Sequence, residues 1–136
     1  MKNHTALPHH ARLRQLVARH ETLITRPNEV DERWDNGVFR RYRHPVLTAE
    51  HAPVYWRYDL NPATNPRLLE RLGVNAAMNS GAIYRDGKFY LVARIEGVDR
   101  KSFFGIAEST TGVDQFRFHE QPILIPETDE PATNTY

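Results

Sequence analysis

The chain has 136 residues, no cysteine, 40% hydrophobic and 26% charged residues and a net charge of +1, values that suit one small globular domain. They exclude disulfides, thiol catalysis and cysteine zinc sites, and no apolar run approaches the ~20 residues of a membrane span. The charge is uneven: residues 1–43 carry nine Lys/Arg against five Asp/Glu, whereas residues 44–136 carry nine against twelve, an acidic balance that argues against a nucleic-acid partner.

Leu7 to Thr25 is predicted as an amphipathic helix with Leu13, Leu16, Val17, His20, Leu23 and Ile24 along one side and Pro8 in its first turn. Arg12, Arg14 and Arg19 precede the first acid, Glu21, as in a transit peptide, but neither an uninterrupted apolar core nor a small-residue cleavage site accompanies them. Ordinary packing explains the period, and a contact with a neighbouring subunit is the alternative use. Arg26 to Gly37 reads as a loop, and Val38 to Arg43 as a weak edge strand whose Arg40, Arg41 and Arg43 are solvated rather than phosphate-binding. The chain therefore divides into a helical extension and arm, residues 1–43, and a β domain, residues 44–136.

His44 to Pro66 is rich in proline and aromatics, among them Tyr55, Trp56 and Tyr58, which serve packing more often than sugar stacking. Asn65 to Leu72 is predicted as a short helix with Asn65 as its cap, Pro66 at the first position and Gly73 at its end.

The densest pattern runs from Asn79 to Ser109. Ala82-Ile83-Tyr84 leads into an Asp86-Gly87 turn, and Lys88 to Arg94 alternates Phe89, Leu91 and Ala93 against Tyr90, Val92 and Arg94. After a turn at Gly97-Val98-Asp99, Ser102 to Glu108 alternates again, with Phe103, Gly105 and Ala107 on one face; Thr110-Thr111-Gly112 turns the chain into a fourth strand at Gln115 to Phe118. Four short antiparallel strands in about 40 residues is the size of one propeller blade, whose faces and edges need neighbours to cover them. The expected fold class is all-β with an N-terminal α-helix, the first blade of a propeller that is incomplete in this chain.

Three groups of residues are candidates for chemistry. Asn79, Ser80 and Gly81 place polar donors where backbone approaches closely, which suits a ligand rim, although an isolated Asn-Ser-Gly is more often a capped turn before a strand. Arg94 ends an apolar strand, and Glu96, Asp99, Arg100 and Lys101 crowd the turn after it, as a polar pocket or a surface ion-pair cluster. Glu127, Asp129 and Glu130 lie in a terminal acidic loop, and nothing in their spacing selects a general acid. The seven histidines show no metal-ligand spacing, with His44, His51 and His119 isolated, and no phosphate-loop or dinucleotide fingerprint is present.

Five stretches together resemble glycoside hydrolase family 130: Arg43 to Ala49, Trp56 to Asn61, Asn79 to Ile83, Val92 to Phe104, and Pro131 to Tyr136. The run Glu96-Gly-Val-Asp-Arg-Lys-Ser-Phe-Phe104 is the most specific, and the resemblance extends from about residue 10 to the last residue, pointing within the family to enzymes that phosphorolyse 4-O-β-D-mannosyl-D-glucose. It implies a five-bladed β-propeller with a central active site, preceded by a helical extension used in homo-oligomer contacts. It implies reversible phosphorolysis of a β-mannoside with inversion, giving α-D-mannose 1-phosphate and glucose, with no cofactor and inorganic phosphate as co-substrate.

Residue by residue, the resemblance assigns Asn79, Ser80 and Arg94 to the mannosyl subsite and Arg100 to the acceptor side. The family's general acid, an aspartate, directly follows Asn-x-Tyr, which here is Asn134-Thr135-Tyr136; the acid is expected immediately after Tyr136, and the phosphate-binding groups in later blades. The 136 residues alone are therefore expected to be inactive. The alternatives are a β-1,4-mannooligosaccharide phosphorylase or β-mannoside hydrolase of the same family, or a non-catalytic sugar-binding or assembly module. The expected partners are a β-mannoside disaccharide and phosphate, with neither nucleic acid nor membrane, and the expected compartment is the cytoplasm.

Overall fold

A computed structural model describes residues 7–124. Its elements are helix α1 (His9–Ile24), the one-turn helix α2 (Val54–Arg57), and strands β1 (Val74–Arg85), β2 (Lys88–Gly97), β3 (Ser102–Ser109) and β4 (Arg117–Phe118). Two short 3-10 turns, Glu32–Trp34 and Ala49–His51, interrupt the segment between the helices. The strands form one antiparallel sheet in the order β1-β2-β3-β4, so each strand pairs with its neighbour in sequence. This agrees with the all-β expectation at the level of a four-stranded meander behind an N-terminal helix.

Helix α1 forms where the apolar period predicts it, but Pro8 caps the helix instead of entering its first turn, its carbonyl accepting from the N–H groups of Ala11 and Arg12. The inward side is narrower than expected. Leu13, Leu16, His20, Leu23 and Ile24 turn inward, while Val17 is 49% exposed. Arg117 of β4 reaches Glu21 in an ion pair, and His20 bonds the His51 carbonyl at 3.2 Å.

Two expected elements do not form. Val38 to Arg43 makes only a single bridge, Tyr42 to Val30, because Asn36 Oδ1 accepts from the N–H groups of Val38 and Phe39 and so competes with any strand ladder. Asn65 to Leu72 is a set of turns and not a helix. The fully buried Asn65 side chain bonds both the N–H and the carbonyl of Leu69, and Leu68 sits at φ +49°, a left-handed conformation that ends helix propagation.

The hairpin reading is correct. Asp86 and Gly87, at φ +51° and +79°, make the primed turn that matches the twist of the flanking strands. Ala93 and Ile95 of β2 pack with Ala52 and Val74, joined by Trp56, Phe103 and Phe118. Trp56 meets Phe103 and Phe118 at ring separations of 5.6 and 5.5 Å, and its indole N–H donates to the Glu120 carbonyl. Trp56 of the proline- and aromatic-rich segment thus serves packing and helps cover one sheet face, while among the described residues Ile83 and Val92 on the other face stay exposed. The expected division between Arg43 and His44 is bridged by Asn28, whose side chain bonds both His44 and Val113.

Candidate functional site

The candidate site lies on the first two strands. β1 begins at Val74, so Asn79, Ser80 and Gly81 lie within a strand and not in a capped turn before one. The register slips between Met78 and Ser80, and Asn79, at φ +28°, is the extra residue of a bulge. Bulges bend a strand and re-aim its side chains, and they concentrate beside binding sites and at sheet edges; β1 is an edge strand.

On either side of the bulge, Met78 pairs with Arg94 and Ser80 with Ala93. Residues directly opposite share a face and successive residues alternate, so Arg94 stands with Met78, and Ser80 with Ala93 on the other side. The structure brings Asn79, Ser80 and Arg94 to adjacent rungs at the sheet edge without putting all three on one face. Arg100 stands apart. It is an exposed residue at φ +64° in the β2–β3 turn, its N–H donating to the Gly97 carbonyl at 2.9 Å.

Arg94 is the chemically unusual member. Its Nε is sealed from solvent and has no hydrogen-bond partner, and one terminal nitrogen faces Met78 Sδ at 3.6 Å, a weak acceptor. Among the described residues no carboxylate pairs with it. A guanidinium carries five donors; the Nε–H is the one buried without an acceptor, which is costly unless an oxygen-rich ligand or another chain segment supplies one, and the terminal donors of this half-buried side chain stay available. The alternative of an ion-pair cluster in the following turn is not what forms among the described residues. Glu96 accepts from Asn75 at 2.7 Å, and Asp99 folds back onto the Lys101 N–H at 3.0 Å.

The open face also holds a cavity of about 580 Å³ lined by Gly81, Ile83, Tyr90, Val92, Ile106 and His119. At its margin the Glu108 carboxylate takes Lys88 Nζ at 2.7 Å and His119 Nε2 at 3.0 Å, and these two partners, Lys88 foremost, hold its pKa below the ordinary carboxylate value. Along the sequence His119 is isolated. The signal available was strand alternation, which puts Lys88 and Tyr90 on one face and pairs Tyr90 with Glu108 across the ladder. Among the described residues no group of three His, Asp or Glu is placed to hold a metal ion. Glu127, Asp129, Glu130 and the Asn134 to Tyr136 motif lie outside the described residues. No described helix is long and apolar enough to cross a membrane.

No protein-family model matches the chain. Over nine-tenths of its length, however, it is similar to a phosphorylase, in agreement with the family resemblance of its motifs. That relative is the 4-O-beta-D-mannosyl-D-glucose phosphorylase of Bacteroides fragilis, 58% identical over 122 residues, which cover 90% of this chain and 31% of the relative. The chain thus spans about a third of the length of the curated relative it matches.

Proposed function

We propose that these residues form the leading part of an inverting glycoside phosphorylase that cleaves 4-O-β-D-mannosyl-D-glucose with inorganic phosphate, releasing α-D-mannose 1-phosphate and glucose. The observation that carries this reading is the 58% identity to a mannosylglucose phosphorylase across 90% of the chain. The four-stranded meander with one open face fits one blade of a five-bladed propeller. β1 is then the strand nearest the central channel; its bulge at Asn79 offers Asn79 and Ser80, and Arg94 on the neighbouring rung of β2 offers its guanidinium, to the mannosyl unit.

The chemistry asks little of this part of the protein. Phosphate is already a nucleophile and needs no general base, so one carboxylic acid suffices to protonate the leaving oxygen. The resemblance puts that acid after Tyr136 and the phosphate clamp further on, and these residues then serve to hold and orient the sugar. Arg94 supplies donors to sugar oxygens, and Arg100 acts toward the acceptor. The exposed side of α1, including Val17, is the contact with a second subunit. The expectation that the 136 residues alone do not turn over substrate belongs to the same reading.

Reading the coding sequence past Tyr136 tests this. An aspartate as the next codon, followed by further four-stranded units, is expected; any other residue there removes the proposed acid and overturns the mechanism.

A further inference from the structure

The rung that holds Arg94 is apolar on both sides. Met78 pairs with it from β1 and Phe104 from β3, and the backbone of Phe104 is bridged in turn by Ile123. Among the described residues no carboxylate pairs with this cation, and Glu96, two residues further along β2, is engaged by Asn75. What Arg94 does have is the Met78 thioether at 3.6 Å from a terminal nitrogen, while its Nε is shut off from water without a partner. Sulfur is a soft, weak acceptor, enough to select a rotamer and too weak to occupy the guanidinium. A carboxylate in the same place would take two donors at once and leave fewer for a ligand.

We infer that Met78 is a positioning residue for Arg94, holding the guanidinium extended along the rung with its remaining donors free for sugar oxygens. The inference rests on the proposed role of Arg94 as a sugar-binding residue. The location of Met78 supports it. It is the last residue before the bulge, so the register slip at Asn79 does not disturb its pairing with Arg94. The same residue therefore fixes the rung from which the bulge departs and the rotamer of the cation beside it.

The test reads Arg94 directly, without substrate. In the protein expressed from the uninterrupted reading frame that encodes these residues, the Arg94 side-chain Nε–H resonance is expected to exchange slowly with water. M78L keeps the volume and removes the acceptor, and exchange should rise about fivefold; M78A opens the rung as well, and exchange should rise about tenfold or more. Protection of the Ala93 and Ile95 backbone amides should not change in M78L, which separates positioning from a general loosening of the sheet. Unchanged Nε–H exchange in both variants, or a rise in M78L matched at those two amides, overturns the inference. Mannose titration of the unsubstituted chain and of R94K addresses the underlying reading separately. Binding that is lost in R94K supports the sugar-binding role, and binding that is absent or equal in both counts against that role while leaving the exchange result to decide the part played by Met78.

Discussion

The main-chain N–H of Asn28 donates to the Asp114 carboxylate at 2.8 Å, tying the arm that follows α1 to the turn between β3 and β4 across 86 positions of sequence. The Asn28 side chain adds three bonds, donating to the carbonyls of His44 and Val113 at 2.8 and 2.9 Å and accepting from the His44 N–H at 2.9 Å. Asn28 is buried, so Asn28→Ala leaves several polar groups unpaired away from water and should cost about 3 kcal/mol. The urea midpoint of the variant measures this, and a change no larger than that of an exposed substitution contradicts it.

Stability should fall in mild acid through His51. Burial pushes its imidazole down from 6.5 to about 4, the Arg26 and His20 charges act in the same direction, and Glu50 opposes them. The neutral ring is also required structurally, since Nδ1 accepts from the Thr48 N–H at 3.0 Å. An unfolded chain takes up the proton near the ordinary value and the folded chain only near 4, so unfolding binds a proton between them. The contribution is complete above about pH 6.5 and is lost as pH drops toward 4, amounting to about 3 kcal/mol. His51→Asn, whose Oδ1 can replace the Nδ1 acceptor, should flatten that part of the urea-midpoint profile.

Two glycines on the strands that flank β2 should respond oppositely to alanine. A Cβ at Gly105 would stand 2.9 Å from the Phe118 ring and 3.2 Å from Trp56, so Gly105→Ala should cost about 2 kcal/mol by overpacking. At Gly81 a Cβ meets nothing within 4 Å, and Gly81→Ala should be neutral or stabilising by a few tenths of a kcal/mol. Thermal melts of the two variants side by side check the difference.

Arg94 should be a residue that weakens the fold it sits in. Its Nε lacks a partner and no described carboxylate pairs with it, so Arg94→Met, which keeps the stem and removes the charge, should raise stability by about 1 kcal/mol. A lower urea midpoint would show that the guanidinium is satisfied in the folded chain.

The parts of the fold set by local physics were legible in the sequence. The Asp86-Gly87 turn and the alternation through Phe89, Leu91 and Ala93 fixed the central hairpin, and the apolar period fixed α1. Side chains acting at a distance hid the rest. Asn65 followed by Pro66 has the form of a helix start, and only the buried bonds from Asn65 to Leu69, with Leu68 left-handed, make it a turn. The bulge at Asn79 inserts one residue and reverses the alternation, so counting by twos from Ser80 gives no hint that Met78, and not Ser80, shares a face with Arg94. The Lys88, Glu108 and His119 group needs the β2–β3 register before it exists at all.

The most direct test of the account is to express the uninterrupted reading frame that encodes these residues and follow mannosylglucose with inorganic phosphate by phosphorus NMR. The account predicts phosphate-dependent appearance of α-D-mannose 1-phosphate together with glucose, and a large loss of rate in Arg94→Ala. Release of free mannose independent of phosphate, formation of the β-anomer, or no turnover of this disaccharide would contradict it.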